Sequence, residues 1–392
     1  MNNCNDAVIV GWAHSPFGKL EAEDIEALIA SVGATALAHA GVSAHDVDNV
    51  TVGVLNSGFS SQGFEAGLVS VAVPGLERTA AMRTENACAT GSAALYAAMD
   101  AIEAGRSRIA LVIGAEKMTA TPVSEVGDIL LTASYRKEED GLSAGFAGIF
   151  GDIANCYFQK YGDKSLELAM IAAKNHANGM ANPFAHMRKD LGVNFCNTES
   201  EKNPRVAGPL RRTDCSLISD GAAALVVTDR ATAEGLQRAV AFRARAHKND
   251  VFPLSRRDPV AFAGARAAWS TALESADITL DDLDAVETHD CFTIAEMLEY
   301  EAMGLAAPGE GWKVVRDGTT RKDGKLPINP SGGLKSRGHP IGATGVSMHV
   351  MAAMQLMGEA GDMQIANAGL VGVFNMGGAA VTNYCSIMER VK

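Results

Sequence analysis

No run of about 18 uninterrupted apolar residues occurs in the sequence, so it carries no candidate membrane-spanning helix. Aromatic residues make up only 6% of the 392 positions, and a core has to be assembled from Ala, Val, Leu, Ile and Met, packed closely with the help of 40 glycines. Basic side chains are outnumbered, 34 Lys and Arg against 46 Asp and Glu, and a net charge of −12 repels a polyphosphate backbone. Nucleic acid is therefore not an expected partner, and neither is a membrane. The seven cysteines, at 4, 88, 156, 196, 215, 291 and 385, are odd in number and contain no CxxC pair, which argues against both a disulfide framework and a zinc ribbon. The N-terminus has no positive segment before its first apolar run, and the final tripeptide, Arg390, Val391, Lys392, is not an SKL-type address. The expected location is a reducing one, the cytoplasm.

What is present is a globular composition, 47% hydrophobic and 20% charged. At roughly 100 to 200 residues per domain, the length fits two or three domains or a duplicated architecture. Short apolar runs alternate with longer helical patterns: residues 7–11, then 23–40, then 49–55. That alternation predicts an α/β fold with a largely parallel sheet. In residues 83–116 a polar turn precedes an Ala-rich helix with a stop at Gly105 and a strand over 109–114. So many alanines imply that something packs very close to this helix. From 117 to 208 the pattern loosens into helical pieces (150–161, 165–180) and polar loops, read as an inserted loop or lid domain. A buried-strand run at 222–227 closes it. A second α/β half follows, with helices over 261–276, 293–303 and 345–357, a strand over 283–288, and two C-terminal strands flanking Asn375 to Gly378. The predicted division is residues 1–118 with 208–238, an insertion at 119–207, and residues 239–392.

Four loops carry chemistry. In Asn86-Ala87-Cys88-Ala89-Thr90-Gly91-Ser92 a cysteine stands where a turn feeds the Ala-rich helix, and free N–H groups there favour thiolate over thiol. The competing reading is a small buried cysteine filling space. In His289-Asp290-Cys291-Phe292, a loop between strand and helix collects a histidine and a thiol. A metal is disfavoured there, since no companion pair has ligand spacing and the acid between them needs its own partner; His289 as a mere helix cap is the alternative. Asn329-Pro330-Ser331-Gly332-Gly333 runs on to Gly338-His339-Pro340-Ile341-Gly342-Ala343-Thr344-Gly345, and so many glycines around one histidine imply positive φ and close approach. The spacing fits neither phosphate-cradling glycine motif. In Asn375-Met376-Gly377-Gly378, backbone amides point towards a place for an oxyanion, a weak signal by itself.

Taken in order, the four loops resemble those of the thiolase family, and Ser219 to Ala224 resembles the strand by which that family's chain re-enters its first half. The likeness spans the chain from Val8 to the final strand. It departs from most thiolases at Asn375, where they keep an acid/base cysteine, and at His289-Asp290-Cys291-Phe292. Both departures are similar to the sterol-carrier-protein type of thiolase, in which the cysteine of the second loop takes over that role. The resemblance implies two duplicated α/β halves in a five-layer α-β-α-β-α arrangement with an inserted loop domain.

The resemblance also implies an activity: thiolytic cleavage of a 3-ketoacyl-CoA, or the reverse Claisen condensation of two acyl-CoA molecules. Cys88 attacks and is acylated while His339 takes its proton, and Cys291 moves the protons of the enolate and of the CoA thiol. The enolate oxygen meets His339 and His289, and the tetrahedral oxyanion meets the N–H groups of Cys88 and Gly377. No cofactor and no metal are implied, because acyl-CoA and CoA are substrates. Their phosphates need a local basic patch, for which Arg205, Arg211, Arg212, Arg243, Arg245 and Lys248 are candidates. Met118, Phe146, Phe150 and Met180 either line the acyl pocket or belong to the core, the latter being expected for most of them. The family pairs copies through the sheet of its first half, so a homodimer or homotetramer is expected. Two other readings are an acyl-carrying subunit or scaffold without carbon–carbon chemistry, and a decarboxylating condensing enzyme. Cys291 speaks against both.

Overall fold

Buried apolar runs set the strands: β1 (Ala7–His14), β4 (Ile109–Glu116) and β7 (Gly221–Asp229) are buried over nearly every residue. The computed structural model describes residues 6–21, 23–142 and 144–391; Cys4 and Lys392, and so the outer limits drawn at 1 and 392, lie outside the described residues. The remaining strands are β2 (Asn49–Gly53), β3 (Ala80–Thr84), β5 (Arg205–Ala207), β6 (Leu210–Arg211), β8 (Val240–Asn249), β9 (Ala285–Glu287), β10 (Leu370–Gly377) and β11 (Thr382–Arg390). Nine of them form one sheet in the order β3-β2-β4-β7-β1-β8-β11-β10-β9, while β5 and β6 pair by themselves at the boundary where the insertion ends.

This sheet is mixed, which corrects the expectation of a largely parallel one. Only β2 with β3, β2 with β4, and β9 with β10 run parallel. The reason is connectivity. The strand returning from the insertion, β7, enters between β1 and β4 against both, and the hairpin β10–β11 lays β11 against β8. The two half-sheets meet only where Val8 and Ile9 of β1 pair with Ala241 and Val240 of β8.

Helices complete the layers. The helix Ile25–Ala40 covers the outer face of the first half-sheet and Ala263–Ala276 that of the second; Thr90–Glu103 and Ile341–Met357 lie between the halves. The central pair explains the alanines. A Cβ on Gly91 would stand 2.6 Å from the backbone nitrogen of Val346, so the two helices cross backbone to backbone. The expected stop at Gly105 is real, with φ of +67° and its N–H on the Ile102 carbonyl. The first half's apolar cluster gathers around Ile25–Ala40 and β1, β2 and β4, and a larger one runs through the second half and the insertion. Between β4 and β7 the helices Phe146–Tyr161 and Ser165–Gly179 pack on Thr293–Ala302.

Candidate active site

Cys88 lies in the turn between β3 and the central helix Thr90–Glu103. Ala87 before it has φ of +49°, a left-handed conformation that costs a non-glycine residue on the order of 1 kcal/mol. The turn is held against that cost by its own bonds: Asn86 N–H donates to Thr90 Oγ1 at 2.8 Å, and Asn86 Nδ2 to the Tyr384 hydroxyl at 2.9 Å. The helix itself starts two residues after the sulfur, and Cys88 is buried. Burial therefore outweighs the helix terminus and, with the charges of Glu85 and Glu116, pushes the thiol up to about 12; N–H groups of Gly378 and of Cys88 itself pull the other way. The expectation that the turn stabilises a resting thiolate is corrected: Cys88 rests as a thiol.

The backbone N–H on the resting sulfur belongs to Gly378, in the left-handed region at φ of +63° and next to Gly377. Gly377 serves by having no side chain, since a Cβ there would stand 2.5 Å from the Asn86 carbonyl oxygen of the nucleophile's turn.

His339 and His289 meet above the thiol. Their ring centroids are 5.1 Å apart with planes crossing at 82°, and Cys88 Sγ and one nitrogen of each ring all lie within 4.8 Å of one another. Burial, with the nearby Arg337 guanidinium, pushes His339 down to about 3; burial, His339 and Arg337 hold His289 well below its usual range. Both rings are neutral at physiological pH. Gly338 at φ of +109° and Pro340 flank His339, whose N–H donates to the Leu217 carbonyl at 3.1 Å, so the ring is rigidly aimed as the sequence implied. His289 is no helix cap: the residue at that position is Phe292, and it makes no side-chain capping bond.

Cys291 borders the same small cavity as Cys88 and His339. Its thiol is held well above its usual range by burial, by Cys88 and by the acids Glu299 and Asp290. The partner that Asp290 needs is the start of the short helix Gly333–Arg337: its carboxylate accepts from the N–H of Leu334 at 2.6 Å and of Lys335 at 3.1 Å, and from Asn175 Nδ2 at 2.7 Å. The second and third loops are thus one unit, fastened from below by a residue of the insertion. Asn175, Thr344, Ser92 and Gly378 have no role assigned in the sequence, although all but Asn175 stand in the four loops singled out there.

The cavity has a volume of about 50 Å³, and Leu55, Leu130, Phe146, Phe292 and Ile341 make its wall apolar. Of the expected wall residues, only Phe146 lines it. Phe150 supports Phe292 from behind, Met118 is core next to Cys88, and Met180 is exposed. Among the basic candidates, Arg245 is engaged by Asp100 and Glu103, Arg243 by the Ala276 carbonyl and Arg205 by Glu199, while Arg211 is buried. Arg212 and Lys248 are exposed. A larger cleft of about 330 Å³ beside Lys174 and Arg321 shares none of the thiols or the two histidines.

A buried thiol, two neutral imidazoles aimed at it, a second thiol and an amide on the sulfur define a centre suited to acyl transfer through a thioester. The chain belongs to the thiolase family: the thiolase N-terminal domain matches residues 7–231, and the thiolase C-terminal domain-like model matches residues 246–390. It is 35% identical over 388 residues to an acetyl-CoA acetyltransferase of Methanothermobacter thermautotrophicus, covering 98% of this chain and 100% of that one. To human sterol carrier protein 2 it is 33% identical over 398 residues, 95% of this chain and 70% of the other. Two solved structures share the fold. An Ltp2-ChsH2(DUF35) aldolase matches with a TM-score of 0.83 at 19% identity, over 98% of each chain. A monomeric SCP2-thiolase like protein type 1 from Mycobacterium smegmatis matches at 0.77 and 18%, over 99% and 78%.

Proposed function

We propose that the chain is an acyl-CoA C-acyltransferase that cleaves a short 3-ketoacyl-CoA with CoA, or runs the reverse condensation, through an acyl-enzyme on Cys88. The observation that carries this reading is the pair of thiols in one buried cavity, Cys88 under two histidines and Cys291 beside it. A subunit that only carries an acyl group has no use for the second thiol.

Cys88 gives its proton to His339 as its sulfur attacks the ketone carbon, so the thiolate exists only while it reacts, in keeping with burial raising the thiol and lowering the imidazole. The tetrahedral oxyanion receives the N–H groups of Cys88 and Gly377, while the Gly378 N–H lies on the sulfur. The carbon–carbon bond then breaks, the enolate oxygen of acetyl-CoA is held by His339 and His289, and Cys291 protonates its carbon. CoA enters, Cys291 takes its thiol proton, and the acyl group leaves Cys88. A cavity of about 50 Å³ holds an acetyl or similarly short group, in keeping with the name of the relative from Methanothermobacter.

The reading extends to two copies paired along β3, whose edge is unpaired and whose Met82 is 54% exposed, and to a cytoplasmic location. The division at residues 118, 208 and 238 stands as the working one. Mixing the protein with acetoacetyl-CoA and CoA and following the ketoacyl absorbance tests the activity. Loss of absorbance dependent on both CoA and Cys88 is expected; a stable signal contradicts the proposal.

A further inference from the structure

The Nε2 atoms of His289 and His339 are both buried with no hydrogen-bond partner among the described residues. What the cavity can do depends on which of them carries a proton, and the partners of the two Nδ1 atoms decide it. Asn375 has no freedom to turn. Its Oδ1 accepts from Ser92 Oγ at 2.7 Å, and its Nδ2 donates to the Cys88 carbonyl at 3.1 Å and to His289 Nδ1 at 2.8 Å. A flipped amide would set oxygen against the Cys88 carbonyl oxygen. His289 Nδ1 is therefore an acceptor, and in a neutral ring its proton sits on Nε2. At His339 the order is reversed. Thr344 Oγ1 has one proton and donates it to the Pro340 carbonyl at 2.9 Å, so towards His339 Nδ1, at 2.6 Å, it accepts. His339 Nδ1 carries the hydrogen and Nε2 is bare.

We infer that His289 and His339 are locked in opposite tautomers, and that Asn375 and Thr344 are the positioning residues that lock them. One ring presents a lone pair to Cys88 and the other a fixed N–H. When the thiol reacts, the S–H bond breaks and an N–H bond forms at His339 Nε2, leaving thiolate and imidazolium, while His289 Nε2–H stays in place for an oxygen of the substrate. Two rings of one tautomer would give two bases without a donor, or two donors without a base. The same assignment bears on the three-ligand spacing of Cys88, His289 and His339. With one of the two nitrogens protonated, the cluster presents an incomplete cation site and a complete site for a thiolate and an oxyanion.

The tautomers rest on the hydrogen bonds alone; their use rests on the proposed acyl transfer. The test is the ¹⁵N spectrum of the full-length, histidine-labelled protein near neutral pH, assigned with His289→Gln and His339→Gln. Expected are a pyridine-type Nδ1 and pyrrole-type Nε2 for His289, and the reverse for His339. Asn375→Asp replaces a donor by an acceptor, so His289 should invert, and exchange of the α-protons of acetyl-CoA should fall about 10²–10³-fold, far more than Cys88 alkylation does. Thr344→Val, which buries no charge, should redistribute the His339 pyrrole-type signal over both nitrogens. Equal tautomers in the wild-type protein overturn the assignment, whatever its activity, as does an unchanged spectrum in either folded variant. Opposite tautomers in a protein that leaves acetoacetyl-CoA intact uphold the assignment and refute the acyl-transfer reading instead.

Discussion

Phe150 lies nearly flat on Phe292, ring centroids 4.4 Å apart and planes 19° from parallel. One ring belongs to the insertion and is fully buried; the other closes the loop that carries His289 and Cys291 and forms part of the cavity wall. The insertion thus sets the position of the second loop. Phe150→Ala should lower stability by about 3–5 kcal/mol, the range for emptying a packed aromatic site. Urea unfolding checks it, and a loss below 1 kcal/mol would mean that the stack does not support the loop.

Phe146 faces the cavity directly, so its size sets the length of acyl group that Cys88 carries. Phe146→Ala should shift the preference towards longer acyl chains, by roughly fourfold in relative kcat/KM per added methylene if each buries fully, about 0.8 kcal/mol apiece. Comparing acetyl-, butyryl- and hexanoyl-CoA in Cys88 acylation decides it. Unchanged ratios would place the acyl group elsewhere.

Periodicity made most of the layered fold legible. The expected strand over 222–227 is the middle of β7, and the helix expected over 23–40 runs Ile25–Ala40. The ten-residue β8 is not legible as a strand, because its alternation is of Ala244 and Ala246 with Arg243 and Arg245 rather than of large apolar residues, and the arginines suggest a phosphate patch. They are ion-paired or bonded to a helix end instead. The four loops announced themselves through Cys, His and Gly. Their supports did not: Asn175 and Tyr384 come from distant stretches, and Ser92, though it ends the first loop, carries no local mark as the partner of Asn375. The resting state of Cys88 is not legible for a related reason, since burial is a property of the whole fold while a helix start is visible in a few residues.

Cys291→Ala separates the half-reactions. Acylation of Cys88 by acetyl-CoA draws on His339 and should survive, whereas exchange of the α-protons with deuterium should fall about 10²–10⁴-fold with the acid/base removed. Proton NMR of acetyl-CoA in D₂O reads the exchange, and undiminished exchange would assign proton transfer to another group.

Five histidines, four of them buried and His14 half-buried, resist protonation. His14, His176 and His339 are driven to about 3 and His349 to about 4, each first by burial, and His289 well below 6.5. Their folded pKa values are lowered, so the unfolded chain takes up protons that the native state refuses. Their contribution is intact above about pH 6.5 and is lost as pH falls, at about 1.4 kcal/mol per pH unit for each ring. Glu116 and Asp290, raised to about 7, and Glu299 and Asp214, also raised, each chiefly by burial, oppose this by holding protons in the folded state, but with His39, His186 and His247 lowered as well the histidines outnumber the acids. The urea midpoint should therefore drop between pH 6.5 and 4.5. In His176→Phe, which removes a ring with both nitrogens unpartnered, the slope should be shallower by one proton. A slope equal to the wild type's would show that His176 is protonated in the native state.

The central claim is that Cys88 carries the acyl group. Incubation of the protein with acetyl-CoA, rapid quenching in acid and peptide mass spectrometry test it in one step. The account predicts a single acetyl group, on the peptide containing Cys88, absent from Cys88→Ala and discharged when free CoA is added before the quench. An acetyl group on Cys291 or any other cysteine, or no acylation while acetoacetyl-CoA is still cleaved, would contradict it.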